Sequence, residues 1–136
     1  MSSPLPPVLV AEDEESDALI LARVFKRAQV PNPLVVVRDG QGAIDYLGGD
    51  RAQHPLPALL ILDLKMPNVN GFEVLSWLQS RPDLAGLPAV VLSSSSHRMD
   101  IDRALRLGAR DYHIKPRDLD QFQTIVKGLS SRWLGA

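Results

Sequence analysis

Glu12 and Asp13, Asp63, Ser93 and Lys115 each stand immediately after a short apolar run: Val8 to Ala11, Ala58 to Leu62, Ala89 to Leu92 and Tyr112 to Ile114, in that order. An acidic pair, a lone acid, a hydroxyl and an ammonium are the parts of a site that handles an anionic group. Brought to ~4 Å at an effective dielectric of ~20, each pair of such carboxylates repels by about 4 kcal/mol. A cluster of this kind takes up a proton or recruits a cation. All-oxygen donors suit a hard divalent ion, so Mg²⁺ is expected, with Mn²⁺ or Ca²⁺ able to substitute. An ordinary aspartate is ionised at neutral pH, so Asp63 could attack phosphorus without a general base. Phosphoryl transfer asks a protein mainly for positioning and charge neutralisation. Mg²⁺ and Lys115 would provide the positive charge, and the Ser93 hydroxyl would bind a phosphoryl oxygen. Each feature alone has an ordinary reading, as an acidic helix start or turn chemistry. Their common placement is what points to a site.

That placement depends on the elements between them. Apolar runs of strand length alternate with segments of helical period. Leu21, Val24, Phe25 and Ala28 recur at helical spacing within residues 16–28. Leu34 to Val37 predicts a buried strand, Gly40 to Leu47 a brief helix, and residues 48–57 a Gly- and Pro-rich loop. Asn70, with Glu73 three residues on, resembles a capping box ahead of an inward stripe of Phe72, Leu75 and Leu78. Ile101, Ala104, Leu105 and Gly108 predict the inward stripe of a helix over residues 97–107, and Asp118 with Gln121 can cap a final helix reaching Trp133. Continuously apolar strands alternating with helices predict a parallel sheet covered on both faces. Five strands and five helices suit an α/β, flavodoxin-like, doubly wound sheet of order 2-1-3-4-5. Ligands of such sheets bind beyond the carboxyl ends of the strands, at the switch in strand order.

Composition narrows the function classes. The 136 residues carry a net charge of −1, with 45% hydrophobic and 23% charged residues, as in an ordinary globular domain. One domain over residues 8–136 is expected, after a disordered, proline-rich lead-in over residues 1–7. Nothing suggests sequence-independent attraction to nucleic acid. Cysteine is absent, which excludes disulfides and thiolate metal sites and fits the cytoplasm. No apolar run approaches the roughly 20 residues that span a bilayer.

The stretches VLVAEDE, LLILDLKMPNVNGFEVL, AVVLSSSS and DYHIKP resemble the signature segments of response-regulator receiver domains of two-component signalling. The resemblance runs over nearly the whole chain. It implies that Asp63 is the phospho-acceptor, that Asp13 binds Mg²⁺ directly and Glu12 through water, and that the backbone carbonyl of Lys65 completes the metal contacts. Ser93 matches the switch hydroxyl. Lys115 matches the family's lysine, and the Pro116 that follows is one the family often holds in a cis bond. Tyr112 matches the aromatic residue that turns inward on activation. The chain departs from the family pattern at Glu12, where Asp is commoner, and at Lys65, a bulky cation that bears on hydrolysis of the phosphoryl group.

The resemblance further implies a sensor histidine kinase as partner and no turnover of an external substrate. About twenty residues follow Lys115, room for one helix of ~1.5 Å rise per residue and no DNA-binding module. The carboxyl-terminal FQTIVKGLSSRWL and the GGDRAQHPLP loop are similar to single-domain receivers that partner phytochrome-type kinases and often form homodimers. Such a dimer is expected through the face of helix 4, strand 5 and helix 5, or through the last helix. Two rivals fit less well. A flavodoxin-like electron carrier needs a phosphate cradle where EDEES stands, and a phospho-aspartyl hydrolase needs an acid where Lys65 stands.

Overall fold

The computed structural model describes residues 5–135. Its elements run β1 (Val8–Ala11), α1 (Glu15–Arg27), β2 (Leu34–Val37), α2 (Gly40–Leu47), β3 (Leu59–Leu62) and α3 (Gly71–Gln79), and after a 3₁₀ turn at Pro82–Leu84 β4 (Ala89–Ser93), α4 (Arg98–Arg106), β5 (Asp111–Ile114) and α5 (Leu119–Trp133). The strands form one parallel sheet in the order β2-β1-β3-β4-β5, the expected doubly wound topology.

Alternation along the strands divides the interior into two cores. Leu9, Ala11, Leu60, Leu62 and Val91 face α2, α3 and α4, where they meet Ala43, Leu47, Val74, Leu75 and Ala104. Val8, Val10, Leu59, Ile61, Val90 and Leu92 face α1 and α5, where they meet Leu21, Val24, Phe25, Phe122, Val126 and Leu129. Every residue of β1, β3 and β4 is buried, since helices cover both faces of these strands. At ~25 cal/mol per Å² of apolar surface, this double layer is the main stabilising contribution of the fold.

Helix starts follow local chemistry. Asn70 and Glu73 form the expected reciprocal capping box, and Asp118 accepts from the Gln121 amide at 2.8 Å. Asp39 caps α2 by accepting from Gly42 N at 2.7 Å. Trp133 packs against the α1/α5 core, and its indole N–H has no hydrogen-bond partner among the described residues.

Several expectations are corrected. β2 is half-buried with Val36 exposed, because it is an edge strand paired only with β1. In α4 only Ala104 is buried and Leu105 is exposed, so its apolar stripe meets the sheet along a narrower line than the periodicity implies. The stripe of α3 is buried through Val74 and Leu75, with Phe72 and Leu78 only partly covered. Of the expected loose lead-in, residues 1–4 lie outside the described residues. Pro6 and Pro7, by contrast, are tied down: their carbonyls accept from Asn32 Nδ2 and Ala58 N, both at 2.9 Å. All peptide bonds among the described residues are trans, including Lys115–Pro116.

One close approach sets the distance between α3 and the end of β3. A Cβ added at Gly71 would lie 2.3 Å from the Asp63 carbonyl oxygen and 2.9 Å from Leu64 Cα. Both are backbone atoms, which cannot rotate away. Gly71→Ala should therefore destabilise the protein by about 1–3 kcal/mol, the usual scale of overpacking, seen as a lowered midpoint in urea denaturation; an unchanged midpoint would show that the loop after β3 yields freely.

Candidate functional site

The sheet ladder runs one residue beyond three of its strands, and those extra residues carry the chemistry. Glu12 N donates to Val37 O at 3.0 Å, Asp63 N to Ala11 O at 3.1 Å, and Lys115 N to Ser93 O at 2.8 Å. Glu12, Asp63 and Lys115 are thus fixed by backbone hydrogen bonds of the sheet, although each lies just past its strand. Ser93 closes β4 and is fully buried.

Glu12, Asp13 and Asp63 converge. One carboxylate oxygen from each lies within 4.8 Å of the others. Glu12 and Asp63 are only 5% and 7% exposed, so water screens their repulsion weakly. The Leu64 amide donates to Asp63 Oδ1 at 2.7 Å and the Glu14 amide to Glu12 Oε2 at 3.1 Å. The remaining oxygens share one ammonium: Lys115 Nζ lies 2.7 Å from Glu12 Oε1 and 3.0 Å from Asp63 Oδ2. Its third contact is Asp17 Oδ2 at 2.8 Å, a residue that sequence reasoning missed. Asp13 precedes α1, so its spacing from Asp17 marks no shared helical face, and only the docking of α1 beside Lys115 reveals the contact.

These contacts set the proton affinities. Burial, reinforced by the negative charge of Asp63, lifts the Glu12 carboxyl from its ordinary 4.5 to about 7, against the hydrogen bond from Lys115. Burial also disfavours the charge on Lys115, but its bonds to Asp17 and Glu12 outweigh that and raise its pKa. The ammonium therefore stays charged, and one positive charge is divided among three acids. An oxygen-only donor set, with two buried members and negative charge in excess, fits a hard divalent cation.

The other expected residues lie around this centre. Ser93 Oγ accepts from Ser95 N at 3.1 Å, which leaves its O–H free to donate. Ser95 Oγ accepts from His97 N at 3.3 Å and donates to Asp100 Oδ2 at 2.6 Å, tying the loop after β4 to the first turn of α4. Tyr112 is half-buried against the α2/α3/α4 core, its hydroxyl donating to Ser95 O at 2.7 Å. Lys65 stands two residues past Asp63 with an exposed side chain. His54, His97 and His113 take no part in the acidic cluster.

Comparison with known proteins places the chain in a family. Residues 8–127 match the family described as response regulator receiver domain. The response regulator Rcp1 of Synechocystis sp. is 33% identical over 135 residues, spanning 98% of this chain and 92% of that protein. A crystal structure of the Mn²⁺-bound form of Rcp1 aligns over 95% of this chain and 94% of its own with a TM-score of 0.84. The phosphorylated cyanobacterial phytochrome response regulator RcpA is 36% identical, with coverage of 96% and 94% and a TM-score of 0.86. RPA3017, a response regulator in red light signalling of R. palustris, is 36% identical with the same coverage and a TM-score of 0.89.

The raised carboxyl of Glu12 makes cation binding pH-dependent. A proton and a dication compete for the same oxygens. Folding favours the protonated Glu12, so its contribution to stability is full below 4.5 and is lost as pH rises through about 7. Above that pH a bound cation replaces the proton. Calorimetric titration with Mg²⁺ should show affinity rising from pH 5 to 8, approaching tenfold per unit below pH ~7, with up to about one proton released per ion. Affinity that is flat across this range would contradict the assignment of Glu12 to the cation site.

Proposed function

Because this chain belongs to the response regulator receiver domain family, we propose that Asp63 accepts a phosphoryl group from a sensor histidine kinase in a Mg²⁺-dependent reaction, and that the phosphorylated chain signals to a protein partner. The observation that carries this reading is the setting of the Asp63 carboxylate, with Oδ1 on the Leu64 amide and Oδ2 3.0 Å from a partly buried ammonium.

The Leu64 amide fixes the plane of the carboxylate, so that an approaching phosphorus meets an oriented lone pair. An O–P bond to Asp63 forms as the P–N bond to the donor imidazole breaks. Lys115 is placed to take up charge on the phosphoryl oxygens, and Ser93 to donate its free O–H to one of them. Glu12, Asp13 and Asp63, with the Lys65 backbone carbonyl, would hold the Mg²⁺, which when bound neutralises charge on the transferring group. The chain is its own substrate in this reading, and no external turnover is expected.

Switching follows from the loop after β4. A Ser93 hydroxyl drawn toward the phosphoryl group pulls on the Ser95 amide that now donates to it. Ser95 is also what Tyr112 and Asp100 hold, so the movement reaches β5 and α4 together. Shifting a population from 1:99 to 99:1 takes about 5.5 kcal/mol, and hydrogen bonds to charged groups contribute roughly 1.5–3 kcal/mol each. The new bonds from Ser93 and Lys115 could supply much of the difference. The surface that reports the change carries the exposed Met99, Leu105, Ile114 and Leu119 on α4, β5 and α5. Apolar exposure there suits a protein contact.

The similarity to RcpA, a cyanobacterial phytochrome response regulator, supports a phytochrome-type kinase as the phosphoryl donor, and the red light signalling of RPA3017 is in keeping with it; the cytoplasm is the proposed site of action. A homodimer through the α4–β5–α5 face or through α5 is part of the same proposal, argued from the apolar side chains exposed on that face. No helix of the described residues is long and apolar enough to cross a membrane.

Incubation with acetyl phosphate and Mg²⁺ should add about 80 Da, the mass of one phosphoryl group, to wild type and Ser93→Ala but not to Asp63→Asn. In Ser93→Ala the phospho-dependent spectral shifts around Tyr112 should be lost; shifts equal to wild type would remove the coupling role of Ser93, and phosphorylation of Asp63→Asn would move the acceptor elsewhere. Light scattering, with and without the acyl-phosphate analogue beryllofluoride, should give a dimer mass in at least one state. Monomers in both would overturn the homodimer.

A further inference from the structure

The ion pair between Asp17 and Lys115 has no place in the three-acid cluster, yet it is as short as the contacts within it. Three carboxylates surround the Lys115 ammonium, Glu12 at 2.7 Å, Asp17 at 2.8 Å and Asp63 at 3.0 Å, and it donates hydrogen bonds to Asp17 and Asp63. Two of these acceptors are also the buried members of the cation cluster, and Asp17 is not. A cation bound by Glu12, Asp13 and Asp63 would draw their lone pairs away from the lysine and repel its ammonium. Asp17 is the one acceptor left to oppose that repulsion. The Lys115 side chain is 14% exposed and that of Asp17 37%, so Asp17 lies on the solvent side, where the ammonium would otherwise escape.

Local structure explains why Asp17 is available. It occupies the third position of α1, whose N-cap is Glu14. In a capping box the side chain at this position, usually Glu or Gln, reaches back to the N-cap amide. The Glu14 amide instead donates to Glu12 Oε2 at 3.1 Å, and no side chain caps the helix. The bond that a capping-box side chain makes is supplied by the site itself, and Asp17 turns to the lysine.

We infer that Asp17 is a positioning residue that holds the Lys115 ammonium beside Asp63 while a divalent cation occupies the neighbouring acids. This rests on the reading of Asp63 as phosphoryl acceptor. On that reading the lysine must stay in place with the cation bound, because both are needed when the phosphoryl group arrives. In the absence of a cation, Glu12 and Asp63 suffice to hold it and Asp17 is redundant.

The test is Asp17→Asn, which preserves shape and removes the charge, in protein carrying nitrogen-labelled lysine. Lys26, Lys65 and Lys127 are exposed, so a slowly exchanging ammonium signal belongs to Lys115. In wild type that signal should persist with and without Mg²⁺. In Asp17→Asn it should persist without the ion, which also shows the variant folded, and vanish on Mg²⁺ saturation. Phosphorylation by acetyl phosphate should slow about tenfold, the loss expected of one hydrogen bond to a charged group, and Asp17→Glu should recover part of both effects. A protected signal in Mg²⁺-saturated Asp17→Asn, or one lost even without Mg²⁺, would overturn the inference. Failure of wild type to gain a phosphoryl group would overturn the reading of Asp63 instead, while the ammonium signal still decides the role of Asp17.

Discussion

One partly buried ammonium shared among acids is the constraint on which the rest of the molecule depends. Lys115 reaches Glu12, Asp17 and Asp63 at 2.7–3.0 Å, and Asp13 adds a further negative charge beside them. A single cation cannot neutralise this set. Burial, with the charge of Asp63 beside it, raises the proton affinity of Glu12, and a divalent ion would relieve the remaining repulsion. The fold tolerates this frustration because the groups are anchored by backbone bonds of the sheet, whose strands are stabilised by two apolar cores and not by the site.

The same economy links chemistry to output. Ser93, Ser95, Tyr112 and Asp100 form one chain of hydrogen bonds from the buried end of β4 to the first turn of α4. A phosphoryl group on Asp63 would accept from the free Ser93 O–H at one end of that chain and draw the chain with it. On the proposed reading the response would be a shift of this loop, the kind of discrete alternative that a packed domain can hold in balance. The half-exposed α4, seated mainly through Ala104, has few apolar contacts to resist such a shift.

Much of this was legible along the chain. Apolar runs ending in Glu12, Asp63, Ser93 and Lys115 implied strands whose ends face one way, since a parallel sheet places all carboxyl termini on one edge. The Asn70 and Asp118 caps were readable because capping chemistry is local. What failed to show was set by neighbours distant in sequence. β2 looks as apolar as β1, and only its edge position leaves Val36 exposed. Leu105 has the spacing of a core residue and none of the burial.

Residue types and their order thus determined the fold class, the family and the acids, hydroxyl and lysine of the site, because strand length, periodicity and capping are short-range properties of the chain. Tertiary structure alone decided how those groups share charge. Asp17 reads as one more acid at a helix start until α1 is docked beside the end of β5, 98 residues away in sequence. The proton affinity of Glu12 likewise depends on its depth and on Asp63, since Coulombic interaction and desolvation act through space and not along the backbone.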